Sequence, residues 1–415
     1  MDGSIGIREG ASGNNFSHDD GLIISLLSKI DNTYNIAILN NLIIFYRKIG
    51  ESTKVMNKEN IEALLKDYNC PYMGTDLVTG NTVKDISVDG DNVAVKVVLG
   101  WPAEGIMKAF HEGLDKKIKD AYPKAKIKFD LSYEIIPHTV QKSLERIKGI
   151  KNIIAIASGK GGVGKSTTAV NLALALKEEG ATTAILDADI YGPSIPKMLG
   201  LSGQPDSPDG KTLEPKKAHG LQAMSIGLLV EEDTPMIWRG PMVTQALEQL
   251  LADTNWQDVD FLIVDLPPGT GDVQLTLCQK IPVSGAVIVT TPQDISLIDA
   301  RKGLKMFEKV EVPVLGIVEN MSTYVCPKCG NAENIFGEGG GEQLATENNV
   351  RLLGELPLEK SVREEMDKGS PTVSSNPISP TSMIYREIAR KMAAALSMRK
   401  KDYSSAFPKI VIQND

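Results

Sequence analysis

The chain has 415 residues, of which 24% are charged and 42% hydrophobic, and its formal net charge is −8. These fractions are typical of a soluble globular protein of two or three domains, which excludes collagen-like, fully disordered and membrane-embedded classes. The excess of 53 Asp and Glu residues over 45 Lys and Arg residues argues against a broad nucleic-acid-binding surface. The four cysteines are too few for the disulfide framework of a secreted protein, and we therefore expect a reducing, cytoplasmic environment.

Residues 1–55 differ in pattern from the rest of the chain. Residues 1–20 are rich in Gly, Ser, Asn and Asp, a composition that predicts disorder. Two apolar runs come next, Leu22–Leu27 and Ile36–Tyr46, and both are shorter than the roughly 18 apolar residues that cross a bilayer. We predict a dispensable extension without stable membrane association. A peripheral membrane anchor is the less favoured alternative.

A small α-β-β-α-β domain is predicted over residues 56–136. Apolar residues at helical or alternating spacing, and an Asp89-Gly90 hairpin turn, define its elements. In chain order these are a helix over Asn57–Tyr68, strands over Thr82–Val88 and Asn92–Leu99, a helix over Ala103–Ala121 and a strand over Ala125–Tyr133. A basic linker is predicted over residues 137–151.

Strands and helices alternate over residues 152–398, which predicts a doubly wound parallel sheet. The buried strands are predicted at Ile153–Ala157, Thr183–Leu186, Phe261–Val264, Ala286–Val289 and Val314–Val318. Thr167–Glu179 and Ser296–Lys309 are amphipathic helices, Pro371–Pro380 is predicted to be a linker, and Thr381–Met398 a closing helix. Residues 399–415 are expected to form a loose tail. Ligands of such a fold bind at the carboxyl ends of the strands.

A phosphate-binding loop comes directly after the first of these strands. The segment Gly159-Lys160-Gly161-Gly162-Val163-Gly164-Lys165-Ser166 fits the P-loop pattern, with a strand before it and a helix after it. We predict that these residues and Thr167 bind the nucleotide. Lys165 is expected to contact the β- and γ-phosphates, and the Ser166 hydroxyl is expected to bind Mg²⁺.

Acidic residues lie at the ends of two neighbouring predicted strands. Asp265 ends one strand and precedes the loop Leu266–Asp272, where nucleotide-binding folds place a carboxylate associated with magnesium and a loop that senses the γ-phosphate. Asp187 and Asp189 come after another strand and are predicted to lie near the phosphates. The set favours a metal–phosphate site over isolated helix-capping carboxylates.

Lys160 adds a second lysine to the loop, which a simple P-loop does not need. The Gly-Lys-Gly-Gly-Val-Gly-Lys-Ser form resembles the deviant Walker ATPases of the MinD/ParA class. The resemblance implies a homodimer with ATP at its interface. It also implies that Lys160 reaches the partner's phosphates and acts there like an arginine finger.

Cys326 and Cys329 form a CxxC pair beyond the strand Val314–Val318. A thioredoxin-like redox pair is disfavoured because that motif opens a helix near the start of a βαβ unit. A metal site needs four ligands, but Cys70 and Cys278 are far away in sequence and are predicted to be structural. One chain therefore supplies half a site. Two chains supply four thiolates, enough for a [4Fe–4S] cluster or a zinc ion.

The combination of motifs resembles the Mrp-type iron–sulfur carrier ATPases. The matching segments are 159–166, 187–194, 238–241, 265–272, 290–293 and 319–330. The resemblance implies that paired Cys326 and Cys329 hold a labile cluster across a homodimer and pass it to apoproteins. It also implies that Asp189 orients the attacking water, that Asp265 supports Mg²⁺ and that Asn320 contacts adenine.

The N-terminal domain is similar to the iron–sulfur assembly accessory domain of bacterial Mrp ATPases. The family's Asp-Pro-Glu stretch is absent near Cys70-Pro71-Tyr72, and its cysteine is absent from the turn Trp101–Gly105. These departures put a thiol-based role in doubt for this domain and leave partner recognition open.

We predict an ATP-dependent carrier of a [4Fe–4S] cluster, whose partners are scaffold proteins and apo iron–sulfur proteins and which binds no nucleic acid. Zinc is the alternative metal of the thiol site in aerobic preparations. The main alternative is a positioning or partition-type ATPase switch with a zinc-bridged dimer. A metabolic P-loop ligase of the dethiobiotin-synthetase kind is a third possibility, but it leaves the CxxC pair unexplained.

Overall fold

The computed structural model describes residues 55–229 and 240–402. The predictions for residues 1–54, for Trp238 and Arg239, and for most of the predicted tail (403–415) therefore lie outside the described residues.

The N-terminal domain has the predicted α-β-β-α-β order. Its elements are α1 (Lys58–Lys66), β1 (Val83–Asp89), β2 (Asn92–Leu99), α2 (Met107–Ala121) and β3 (Lys126–Tyr133). β1 and β2 are antiparallel around the predicted hairpin turn, and β2 pairs with β3 in parallel. One boundary differs from the prediction, because a 3-10 turn over Glu104–Ile106 precedes α2.

The large domain alternates strands and helices. Its elements are β4 (Ile150–Ala157), α3 (Lys165–Glu178), β5 (Thr183–Asp187), α4 (Ile195–Met198), β6 (Lys216–Ala218), β7 (Leu221–Ser225), α5 (Gly240–Asp253), β8 (Val259–Asp265), α6 (Asp272–Lys280), β9 (Gly285–Thr290), α7 (Asp294–Lys309), β10 (Val314–Val325), β11 (Ala332–Glu333), α8 (Gly340–Glu347), β12 (Leu352–Leu358), α9 (Lys360–Asp367), α10 (Thr372–Ser375) and α11 (Pro380–Ser397).

These strands form one 9-stranded sheet in the order β11-β10-β9-β4-β8-β5-β7-β6, with β12 on β10. The pairs at the centre of the sheet are parallel, whereas β6 and β11 add short antiparallel edges. One core packs α3 and α11 on one face, and a second core packs α5, α6 and α7 on the other. The predicted doubly wound sheet is confirmed.

Several boundaries differ from the predicted ones, and the strands β6, β7, β11 and β12 were not predicted. β4 begins at Ile150, inside the predicted basic linker. The predicted linker Pro371–Pro380 contains α10, whose Thr372 and Val373 are buried, and the Val373 N–H donates to Asn171 Oδ1 at 3.0 Å. β7 and β12 were missed because Gln222 and Ser225 interrupt the apolar run of one strand and Gly354 and Pro357 occur in the other. These residues are typical of turns and surfaces, but tertiary pairing places them in strands.

A buried ion network joins the N-terminal domain to the end of α3. The Glu179 carboxylate is 0% exposed and accepts hydrogen bonds from Arg386 Nε at 2.7 Å and Arg390 Nη2 at 2.6 Å. The Arg390 guanidinium lies 5.7 Å from the Tyr72 ring centroid, and the Glu104 N–H donates to the Glu179 carbonyl at 3.1 Å. A carboxylate at a helix C-terminus is opposed by the helix dipole. The two arginines compensate both that repulsion and the cost of burial.

Arg390→Ala is expected to lower the free energy of unfolding by about 3–5 kcal/mol, because the buried Glu179 charge loses one of its two cationic partners. Chemical denaturation of the full chain measures the loss. Lys391→Ala is the matched control, since Lys391 pairs with the exposed Glu387 and its loss is expected to cost about 0–1 kcal/mol. Equal losses in the two variants would contradict the expectation.

Candidate nucleotide and thiol site

The carboxyl ends of the central strands bring the predicted site residues together at one edge of the sheet. β4 leads into the P-loop, β5 and β8 end at Asp187 and Asp265, and β10 carries Asn320 beside the loop. The P-loop, the acidic residues and Asn320 therefore form one cluster, as the alternation of strands and helices predicted.

The loop has the backbone that a phosphate site needs. Gly162 and Gly164 have φ angles of 82° and 81°, which favour glycine. A Cβ added at Gly164 would lie 2.2 Å from Asn320 Nδ2, whereas a Cβ at Gly162 would meet nothing within 4 Å. α3 begins at Lys165 and has no side-chain cap at its N-terminus. Its first N–H groups are thus available to phosphate oxygens.

Lys165 and the acids form a buried charge cluster beneath the loop. Lys165 Nζ lies 2.5 Å from Asp265 Oδ1 and 4.0 Å from Asp189 Oδ2. The second carboxylate oxygen of Asp265 is buried and has no hydrogen-bond partner among the described residues. A buried acceptor without a donor fits a cation, and the neighbouring Ser166 hydroxyl supplies a second oxygen ligand of the kind that Mg²⁺ prefers.

Asp187 is buried at the end of β5 and is held by donors from the residues around it. Its carboxylate accepts hydrogen bonds from the Asp189 N–H at 3.2 Å, the Ile195 N–H at 3.1 Å and the Ser225 hydroxyl at 3.1 Å. Burial, together with the negative charge of Asp265, raises the pKa of Asp187 to about 7. Asp187 therefore fixes the loop that carries Asp189.

The raised pKa of Asp187 is expected to make stability fall as pH rises from about 4 to about 7, because the folded protein keeps a proton that the unfolded chain releases. The full shift from 3.8 to about 7 corresponds to about 4 kcal/mol. Urea unfolding at a series of pH values should show the wild type losing stability relative to Asp187→Asn across this window. Parallel profiles would exclude Asp187 as the source.

Lys160 lies in the exposed part of the loop. The structure gives its side chain no ion pair or hydrogen bond with the residues it describes, and only its backbone carbonyl is fixed, by the Ser158 hydroxyl at 2.9 Å. Gly159 packs against α7, where an added Cβ would lie 2.2 Å from the Asp299 carbonyl carbon. The loop is anchored, and the Lys160 side chain is exposed.

Asn320 supports the P-loop from below. Its Nδ2 donates to the Val163 carbonyl at 2.9 Å, its Oδ1 accepts the Met321 N–H at 2.9 Å, and the side chain is 8% exposed. The adenine contact that the family resemblance implies for Asn320 stays a prediction. The contact with Val163 means that β10 touches the nucleotide loop directly.

The CxxC pair lies at the turn between β10 and β11. The Cys326 N–H donates to the Asn331 carbonyl at 2.9 Å, and the Gly330 N–H donates to the Cys326 carbonyl at 2.8 Å. The backbone N–H groups of Lys328 and Cys329 donate to the Cys326 sulfur and lower the pKa of its thiol. The turn therefore favours the thiolate of Cys326, which is the form of a cysteine that binds metals.

The other two cysteines are buried in the two hydrophobic cores, as predicted for structural residues. Burial raises the pKa of the Cys278 thiol to about 12 and also raises that of Cys70, which makes both poor ligands. Within residues 55–229 and 240–402, no group of three or more His, Cys, Asp and Glu residues could hold a metal ion. Among the described residues, Cys326 and Cys329 thus form a pair of accessible thiols outside any larger ligand cluster.

Two residues of this region were not singled out from the sequence. Gln274 is 8% exposed and donates through Nε2 to the Pro268 carbonyl at 2.5 Å, which restrains the loop after Asp265. Glu319 is 1% exposed and lies within β10. An acid directly after the apolar run Val314–Val318 was the available signal for Glu319, and nothing local singles out Gln274.

Together, the sheet, the phosphate loop and the acids at the strand ends define a nucleotide-binding P-loop protein with an added thiol pair. Two family models match the chain. The model described as NUBPL iron-transfer P-loop NTPase matches residues 149–393, and the model described as iron-sulfur cluster assembly protein matches residues 58–129. The chain belongs to the NUBPL iron-transfer P-loop NTPase family, and the family resemblance predicted from the motifs is confirmed.

Individual relatives agree with this assignment. The iron-sulfur cluster carrier protein of Escherichia coli (strain K12) is 49% identical over 353 residues, which cover 84% of this chain and 96% of that protein. The iron-sulfur cluster transfer protein NUBPL of Mus musculus is 52% identical over 252 residues, covering 60% and 79%. A nucleotide-binding protein from Archaeoglobus fulgidus, solved with ADP, is 37% identical with a TM-score of 0.51, covering 57% of this chain and 93% of that one. None of the described helices is long and apolar enough to cross a membrane.

Proposed function

We propose that this protein is an ATP-dependent carrier that binds a [4Fe–4S] cluster across a homodimer and transfers it to apoproteins. The observation that carries the proposal is the course of β10, which contacts the P-loop through Asn320 and reaches Cys326 six positions later. The two sites are therefore joined by one strand, within about 20 Å. The names of the relatives support iron–sulfur transfer as the activity.

We infer dimerisation from the incomplete set of thiol ligands, Cys326 and Cys329, in one chain. Two thiols per chain become four when a second copy brings its own hairpin, and four thiolates are the usual ligands of a [4Fe–4S] cluster. Several large apolar side chains in the loops, helices and strand ends of the large domain are also exposed. They are Tyr191, Met242, Ile295, Ile298, Val325 and Ile335.

ATP hydrolysis would use the charge cluster beneath the loop. Lys165 would leave Asp265 for the phosphates, Ser166 and Asp265 would hold Mg²⁺, and Asp189 would orient the attacking water. Mg²⁺ supplies charge neutralisation to the phosphates. Lys160 would complete the site of the partner subunit, which agrees with its exposure and its lack of an ion pair among the described residues.

ATP binding at the P-loop would affect the position of the thiol hairpin through Asn320. Any displacement of the P-loop on binding phosphate moves the Val163 carbonyl that Asn320 holds, and Asn320 lies on the strand that ends in the thiol hairpin. Nucleotide binding and cluster affinity are then linked, and the linkage is reciprocal.

Anaerobic purification of the full chain tests the proposal. Iron, sulfide and zinc are counted per dimer, and release of the cluster to an apo iron–sulfur protein is followed with and without Mg-ATP. We expect about four iron and four sulfide ions per dimer, with release dependent on ATP. Zinc at one ion per dimer, without any iron under reconstitution conditions, would favour the zinc-bridged partition-type switch.

A further inference from the structure

β10 is divided into two parts by an irregularity. It pairs with β9 as far as Glu319 and with β12 as far as Asn320, with one register shift in each ladder, and its register with β12 shifts again between Asn320 and Tyr324. Met321 lies at this break with a φ of 59°, an uncommon conformation for a residue other than glycine. Such a bulge bends a strand and redirects the chain beyond it. In this protein the redirected segment is the hairpin with Cys326 and Cys329.

The return from the hairpin is fixed at a second point. After β11 the chain enters α8, and the Glu319 Oε2 accepts the N–H of Gly341 in the first turn of that helix at 2.5 Å. The contact is closely fitted, since a Cβ added at Gly341 would lie 2.9 Å from the Glu319 carboxylate. The segment with the thiol hairpin therefore begins just beyond Glu319, and the chain that returns from it is anchored onto Glu319.

Burial of the Glu319 carboxylate is energetically unfavourable. A carboxylate that is 1% exposed loses most of its hydration, and Glu355 faces Glu319 in the register of β10 with β12. Burial and the charge of Glu355 raise the pKa of Glu319. An apolar residue would fill a strand position in the sheet without this cost, but it would offer no acceptor to the α8 N-terminus.

We propose that Glu319 is a positioning residue for the thiol site: its contact with Gly341 sets the direction of the hairpin, so that Cys326 and Cys329 face the second subunit. The inference rests on the proposed function and deepens it. Glu319 thus contacts the chain where it returns from the thiol hairpin, and its neighbour Asn320 contacts the P-loop. Two adjacent residues of β10 therefore connect the nucleotide site with the thiol site.

Co²⁺ titration of the reduced, metal-free full-length protein tests this role, with the thiolate-to-cobalt absorption as the readout. Glu319→Ala removes the acceptor, and its Co²⁺ affinity is expected to fall by about 10- to 100-fold, the range seen when a group that orients metal ligands is lost. Glu319→Gln keeps an acceptor oxygen and is expected to restore binding to within about threefold of the wild type.

Two controls separate positioning from general damage. Glu355→Ala removes the exposed acid opposite Glu319 and is expected to bind Co²⁺ like the wild type. The affinity of Glu319→Ala for Mg-ADP, measured by calorimetry, is expected to be unchanged, which shows that the P-loop remains folded.

Three outcomes are informative. Equal Co²⁺ affinity in the wild type and Glu319→Ala would overturn the positioning role while leaving the carrier proposal intact. A Glu319→Gln variant as weak as Glu319→Ala would also overturn it, because the acceptor would then be irrelevant. A wild type without any thiolate-to-cobalt absorption would instead overturn the thiol site itself.

Discussion

Replacement of Cys326 and Cys329 by serine is expected to reduce bound iron from about four ions per dimer to none. Cys326 is partly exposed and Cys329 is exposed, and no alternative cluster of ligands occurs among the described residues. Serine keeps the size of the side chain but is a poor ligand for iron at neutral pH. Iron and sulfide counts and the visible absorption of anaerobically reconstituted protein measure the loss.

Cys278→Ala is the matched control for the cysteine variant. Cys278 is buried and its thiol has a raised pKa, so iron binding should remain at the wild-type level. Mg-ADP binding should survive in both variants, because the P-loop lies outside the thiol hairpin. Full iron content in the double serine variant would refute the half-site.

Lys160→Ala is expected to lower the rate of ATP hydrolysis by about 10³-fold or more, with Mg-ADP binding retained, if the lysine acts on the partner's phosphates like an arginine finger. Its exposure and its lack of an ion pair within residues 55–229 and 240–402 agree with that role. Lys165→Ala should instead abolish nucleotide binding. Lys302→Ala, which removes a lysine paired with Asp299 near the loop, is the matched control and should keep full activity.

Mixing two inactive variants distinguishes action in trans from action in cis. In a dimer of one Lys160→Ala chain and one Asp189→Ala chain, one nucleotide site keeps its own Asp189 and receives Lys160 from the other chain. Random mixing should therefore restore about a quarter of the wild-type rate. No restoration, with dimer exchange shown by a labelled subunit, would place Lys160 in its own site.

The sequence alone was sufficient for features that contiguous residues encode. The P-loop needs a run of backbone N–H groups with glycines at fixed positions, and a CxxC turn needs two thiols at one spacing, so both are readable from local pattern. The same holds for buried strands such as β5 and β9, because a continuous apolar run predicts a buried strand without knowledge of its neighbours. These local patterns were enough to predict the class, the fold and the half-site.

Only the tertiary structure showed which distant side chains meet. The contacts of Asn320 with Val163, of Glu319 with Gly341 and of Glu179 with two arginines join residues 22 to 211 positions apart. No local preference encodes such pairs, because they form only when strand order and helix packing place the groups together. Asp187 and Asp189 follow the same strand, and local pattern cannot distinguish them. In the structure Asp187 is buried and accepts the Asp189 N–H, so that it supports the loop that carries Asp189.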